Sequence, residues 1–181
     1  MPRLEAIDPK TANGKAKELL DGVQAKLGAT PNLFRTMANA PAVLEGYLDF
    51  SGALAKGSLS AKLREQIALT VAQTNSCDYC LSAHSAVGKM VGLSEQELLD
   101  SRQGQSPDNR TDAALRFARK VVSERGWVSN EDVAKLRQAG FDGGEIAEIV
   151  ANVAINLFTN YFNHIAGTEV DFPKVSSAEA A

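Results

Sequence analysis

The two cysteines of this chain and one of its two histidines fall within one short run, Cys77-Asp-Tyr-Cys80-Leu-Ser-Ala-His84. A thiolate is the reactive form of cysteine, and a helix N-terminus or a nearby imidazole lowers a thiol pKa. A helix that starts at Cys77 turns about 100° per residue, so Cys77, Cys80 and His84 share one face. That spacing also permits a strained, reducible disulfide. The pattern predicts a dithiol redox centre at a helix mouth. Two other readings use the same residues. A structural zinc site needs four ligands: Cys77, Cys80 and His84 supply three, and Glu65 or His164 could be the fourth. Alternatively, both thiols are inert core residues. A thioredoxin-like site needs a βαβ pattern around the motif, which is missing.

Glu65 is the second chemically suggestive residue. On a helical wheel it lies among Ala61, Ala68, Leu69 and Ala72, opposite the stripe Leu63, Ile67 and Val71. Lys62, Gln66, Thr70 and Gln73 form the polar arc. A carboxylate on an apolar face is desolvated and its pKa rises, which suits a proton carrier. Glu65 is therefore expected near the cysteines rather than salt-bridged in water, the alternative being a surface residue beside Lys62 and Arg64. His164 is placed on the apolar side of the last helix, in register with Ile146, Val153 and Leu157. It reads as a buried histidine bonded to an asparagine, or as a secondary contributor with Tyr79 and Asn160. Asn152, Asn156, Asn160 and Asn163 form a stripe expected to pair internally or across a helix interface. Glu145 precedes His164 by the same spacing that separates Glu65 from His84, a faint echo of a duplicated two-helix unit.

The elements that must position these residues read as helices throughout. Apolar residues recur at helical spacing over 12–27, closed by Gly28, and Pro31-Asn32 opens a short segment. Pro41 starts a helix stopped by Gly57. Ser60 caps a long helix to about Asn75, and the motif helix runs from Asp78 to Val91. Ser94-Glu-Gln-Glu97 is a capping box. After a polar loop at 103–109, helices start at Thr111 or Asp112, at Ser129, and after Gly143-Gly144. Trp127 and the phenylalanines are assigned to the core, and the tail from Pro173 is expected to be mobile. No useful strand alternation is present. The division is 1–57 as N-terminal helices packed on the core, 58–102 as the motif-bearing core, and 108–172 as C-terminal helices of the same domain.

Composition narrows the classes. A chain of 181 residues with 44% apolar content can bury a core without disulfide staples. A net charge of −3 gives no footprint for nucleic acid. No apolar run reaches the ~20 residues of a membrane span. The N-terminus lacks a signal peptide's apolar region, so a cytoplasmic protein is expected. There a close cysteine pair is more often catalytic or metal-binding than structural.

Glu65, eleven further residues, and then Cys77-Asp-Tyr-Cys80-Leu-Ser-Ala-His84 resemble the Glu…CxxCxxxH signature of AhpD-like alkylhydroperoxidases. These belong to the carboxymuconolactone decarboxylase superfamily. Pro31-Asn-Leu-Phe34 and Asn156-Leu-Phe-Thr-Asn-Tyr-Phe-Asn-His164 resemble its peroxidase-related branch. The resemblance implies an all-α, AhpD-like domain with extra N-terminal helices and no significant sheet. It implies Cys80 as the peroxidatic thiol, Cys77 as the resolving thiol, and His84 with Glu65 as the proton relay. Its substrate would be a hydroperoxide and its reductant an external dithiol, with no cofactor or metal, in a homotrimer or homohexamer. Tyr79 departs from the pattern, because the family's best-known member carries a histidine there. A phenol is not an equivalent proton carrier near neutral pH. The rival readings are a decarboxylase-type lyase with His84 as acid–base group, and a redox-sensing oligomer without catalysis.

Overall fold

Caps and breakers divide the chain into helices in the computed structural model, which describes residues 1–180. Among the described residues there is no strand. The helices are α1 (Gly14–Leu27), α2 (Asn32–Met37), α3 (Pro41–Leu54), α4 (Ala61–Thr74) and α5 (Asp78–Met90). They continue as α6 (Glu95–Arg102), α7 (Asn109–Ser123), α8 (Asn130–Gln138) and α9 (Gly143–Ala166), followed by a 3-10 turn at Ser177–Ala180. Ser60 caps α4 by accepting from the Leu63 amide, and Ser94 and Ser129 close capping boxes. Two starts differ from the sequence reading. Asp108 caps α7 through the Thr111 amide, so that helix begins earlier than Thr111. Gly143 and Gly144 lie inside α9, because Asp142 and Glu145 form its capping box. The cap residue outweighs the cost of glycine in a first turn.

α4 is the axis of the molecule, with α5, α6, α7 and α9 packed around it. Part of its polar arc is covered too: Gln66 and Thr70 are buried, and Thr70 Oγ1 donates to the Ser101 carbonyl at 2.6 Å. Leu69 and Ala72 join an apolar cluster with α1, α2, α3 and the motif helix. Leu63, Ile67 and Val71 join a second cluster with α7, α8 and α9. Burying each of the larger side chains contributes about 1.5–3 kcal/mol. The site-bearing helix is therefore clamped from both sides.

The turn between α4 and α5 carries the motif. Ser76 adopts φ 54°, the left-handed region that glycine usually fills. The Cys77 amide donates to the Ala72 carbonyl at 2.9 Å and the Ser76 amide to the Gln73 carbonyl at 3.1 Å, the bond pattern of a Schellman motif. This tight stop folds α5 back along α4 and leaves Cys77 at the N-cap of α5.

The tail is a correction to the sequence reading, because it is docked rather than loose. The Val175 amide donates to Ser82 Oγ at 2.9 Å and the Ser177 amide to Asp78 Oδ1 at 2.9 Å. Arg102 Nη2 and Gln73 Nε2 donate to the Ser176 and Ser177 carbonyls. Polar composition suggested mobility, but every donor and acceptor just named finds a partner across the chain. Trp127 is also corrected: it is exposed, as are Phe50 and Phe158, while Phe117 and Phe141 are core.

Candidate active site

The fold-back of α5 brings His84 over Glu65. His84 Nδ1 lies 2.8 Å from Glu65 Oε2, with both side chains part-buried. Burial works against the charged imidazole, but the Glu65 carboxylate, with the Cys80 charge and a hydrogen bond to Asn156, outweighs it, and His84 is raised above its ordinary value. Glu65 is paired with the imidazole rather than alone on an apolar face. His84 follows Cys80 by one helical turn on the same face, so the relay residues predicted from spacing converge.

The two thiols are buried and free, and they differ. Cys80 is lowered to about 6, first by hydrogen bonding from the Cys77 thiol, against burial, and then by the charge of His84 and the amides of Asn163 and Asn160. Cys77 is pushed up, by its hydrogen bond to Cys80, by burial and by the Cys80 charge. Asn163 Nδ2 donates to Cys80 Sγ at 3.2 Å, and Thr159 Oγ1 lies 4.0 Å from the same sulfur. Tyr47 of α3 borders the group. Burial, then the charges of Cys80 and Glu65, push its phenol up to about 12.

The secondary candidates separate. Asn160 is in the site: it is fully buried, its Oδ1 accepts from Asn75 Nδ2 at 2.9 Å, and its carbonyl lies 4.0 Å from Cys77 Sγ. Tyr79 points into a structural socket instead. Its hydroxyl accepts from the Leu33 amide at 3.0 Å and its ring meets Phe172 edge-on, so the Pro31–Phe34 segment docks on it. Burial raises its phenol further. His164 is exposed, contrary to the buried position expected. The buried face of α9 instead runs through Asn152, Val153, Asn156, Asn160 and Asn163. The asparagine stripe therefore faces the motif helix, where an interface between helices of two chains was one expectation. Among the described residues, no group of three or more His, Cys, Asp and Glu side chains is arranged to hold a metal ion. The echo also dissolves, since Glu145 caps α9 and pairs with Arg110 at 2.7 Å.

A cavity of about 180 Å³ opens beside the pair, lined among others by Tyr47, Arg64, Glu65, His84, Asn152 and Asn156. His84 and Glu65 lie in its wall and the cysteines do not. Tyr47, Arg64 and Asn163 were missed as site residues. For Asn163 the signal was visible in the helical spacing of the asparagines, but spacing alone does not say which neighbour the stripe faces.

Residues 41–124 match the model of the carboxymuconolactone decarboxylase family. No curated protein matches the chain. Among solved structures, an uncharacterized peroxidase-related protein with an alkylhydroperoxidase AhpD core from Ralstonia eutropha JMP134 is 25% identical, with TM-score 0.83 over 94% of this chain and 92% of its own. An uncharacterized peroxidase-related protein from Silicibacter sp. TM1040 is 25% identical, with TM-score 0.79 over 93% and 94%. The debrominase Bmp8, solved with 2,3,4-tribromopyrrole, shares the fold at 18% identity, with TM-score 0.81 over 99% and 96%.

Proposed function

On the premise that this chain carries the AhpD-like core of the carboxymuconolactone decarboxylase superfamily, we propose that it reduces organic hydroperoxides through Cys80 and Cys77. The carrying observation is the unequal buried thiol pair beside the Glu65–His84 couple. Cys80 thiolate attacks the terminal peroxide oxygen. An S–O bond forms, the O–O bond breaks, and the leaving alkoxide takes a proton from His84, which Glu65 holds charged. Once Cys80 is a sulfenic acid its negative charge is gone, and with it one of the causes that kept Cys77 protonated. Cys77 gives its proton to the now neutral His84 and its thiolate attacks the Cys80 sulfur; the S–S bond forms, the S–O bond breaks, and the departing hydroxide takes that proton to leave as water. An external dithiol restores both thiols. The net change is one hydroperoxide and two thiols to one alcohol, one water and one disulfide.

The assembly is part of this proposal. Val150, Phe158, Tyr161 and Ile165 form an exposed apolar stripe on α9 beside Val43 and Phe50 of α3. A homo-oligomer, trimeric or hexameric, covers it. No described helix is long and apolar enough to cross a membrane. A cytoplasmic setting, where a dithiol reductant is at hand, belongs to the same proposal.

The test is a thiol titration before and after one equivalent of cumene hydroperoxide. Wild type loses two thiols, Cys77→Ser gives one sulfenic acid without turnover, and Cys80→Ser loses none. Equal reactivity of Cys80→Ser and wild type overturns the assignment. One observation favours a second reading. His84 and Glu65, but not the thiols, line the cavity, which suits an acid–base lyase of the decarboxylase type. That reading requires a Cys77→Ser/Cys80→Ser variant that still turns over a lactone substrate.

A further inference from the structure

α9 lies outside the span matched to the family, yet it meets Cys80 with the Asn163 amide and lies beside it with the Thr159 hydroxyl. The described residues contain three buried polar side-chain atoms with no hydrogen-bond partner: Asn160 Nδ2, Asn163 Oδ1 and Thr168 Oγ1. Two of the three belong to side chains beside the thiol pair: Asn163 bonds Cys80 Sγ through its Nδ2, and the Asn160 carbonyl lies 4.0 Å from Cys77 Sγ. Buried polar groups are nearly always paired, so an idle donor and an idle acceptor beside one thiol pair call for a cause. Their orientation is not loose. Asn75 Nδ2 holds Asn160 Oδ1 at 2.9 Å, which leaves the Asn160 Nδ2 end free. Asn163 Nδ2 already donates to Cys80 Sγ at 3.2 Å.

We propose that Asn163 and Asn160 are further catalytic residues, an amide cradle whose N–H groups hold negative charge on Cys80 Sγ. Hydrogen bonds to an ionised acceptor are about twice as strong as neutral ones, and burial strengthens them further. A neutral thiol is a weak acceptor and leaves Asn160 Nδ2 idle, whereas a thiolate recruits it. Asn75 acts as a positioning residue by fixing which end of the Asn160 amide meets the sulfur. Asn163 Oδ1, idle beside a thiolate, is an acceptor for the O–H of a sulfenic acid on Cys80. The amides add no proton of their own to the reaction. This inference deepens the peroxidase reading, but its central claim concerns the thiolate and holds without any peroxide.

The other titratable groups that act on Cys80 are known. Cys77 is the N-cap of α5, Tyr79 and His84 lie on α5 and Tyr47 on α3, while Glu65 on α4 acts through His84. α9 contributes amides and a hydroxyl there, so its effect can be isolated. In a Cys77→Ser background only Cys80 can be alkylated. The experiment is the pH profile of iodoacetamide alkylation in that background, alone and with Asn163→Asp, Asn160→Asp or Asn75→Ala. The aspartates keep size and shape, and Asn160→Asp keeps the oxygen that Asn75 grips. Each replaces a donor with a carboxylate oxygen. The expected result is an upward shift of the midpoint by about 1–2 pH units for Asn163→Asp and Asn160→Asp. Below the midpoint that is a loss of about 10- to 100-fold in rate. Asn75→Ala shifts it less, in the same direction. Because a carboxylate also repels the thiolate, Asn163→Ala and Asn160→Ala, which remove the donor without adding charge, are measured beside the aspartates, with folding judged by circular dichroism and the same direction expected. Unchanged profiles in folded variants at both positions overturn the cradle. Failure of the peroxidase reading appears separately, as absence of sulfenic acid after hydroperoxide while the alkylation profile still depends on Asn160 and Asn163.

Discussion

Glu65 and His84 are separated by nineteen residues, and so are Glu145 and His164, yet only the first pair meets. Glu65 and His84 touch at 2.8 Å because Ser76 breaks the helix between them and turns α5 back on α4. Glu145 and His164 stand near opposite ends of the unbroken α9, about 28 Å apart at the ~1.5 Å rise per residue of a helix. The first glutamate meets its histidine in a half-buried setting. The second caps its own helix and holds Arg110, while its histidine is exposed. Equal spacing therefore carries no chemistry by itself. The break between the residues, and what covers them afterwards, decides.

The strongest way to break the comparison is to remove each glutamate in turn. Glu65→Gln is expected to slow hydroperoxide-driven thiol loss by about 10²–10⁴-fold, the usual cost of losing a proton-transfer group. Glu145→Gln is expected to leave it unchanged, and stopped-flow kinetics on both variants checks this. A comparable loss from Glu145→Gln removes the distinction. The same pair carries a pH signature. His84 is raised in the folded state, so the stability it gains from Glu65 is fully present below its unfolded value of about 6.5. That stability is lost as pH rises through the higher folded value. Denaturation of wild type and Glu65→Gln should therefore differ more at pH 6 than at pH 9. A gap that widens with pH contradicts the pairing.

Smaller effects sharpen the contrast. Ser76→Val places a β-branched residue in the left-handed region and is expected to cost about 1–3 kcal/mol, with loss of Cys80 reactivity as α5 shifts. Ser76→Gly relieves that conformation and is expected to change stability by less than about 1 kcal/mol, in the stabilising direction. Urea titration reads both, and a Ser76→Val protein as stable as wild type would show that the turn is not the constraint. Glu145→Gln loses its ion pair with Arg110 and weakens the α9 capping box, which is worth about 0.5–1 kcal/mol. His164→Gln is expected to change neither stability nor thiol chemistry, and a measurable effect on the alkylation profile would place it in the site after all.

Much of the scaffold was legible because its signals are local. Ser60, Ser94 and Ser129 cap their helices through bonds that span three residues, so composition and position suffice to find them. Asp108 and Asp142 are caps of the same kind, but a loop rich in polar residues and a Gly-Gly pair masked them. The docked tail was illegible for a different reason. Its partners Gln73, Asp78, Ser82 and Arg102 lie roughly a hundred residues or fewer upstream, on three other helices. No local pattern reports such bonds.

The sequence alone determined the cysteine helix, its all-helical setting and the partners His84 and Glu65, because helical periodicity fixes which side chains share a face. Tertiary structure decided which faces meet. It turned the asparagines of α9 toward Cys80, left His164 and Trp127 in solvent, and committed Tyr79 to a socket made by Leu33 and Phe172. The reason is physical. A wheel gives angles around one helix, whereas burial, hydrogen-bond partners and thiol acidity depend on the helix packed against it, and that choice is made by the summed burial of the whole core.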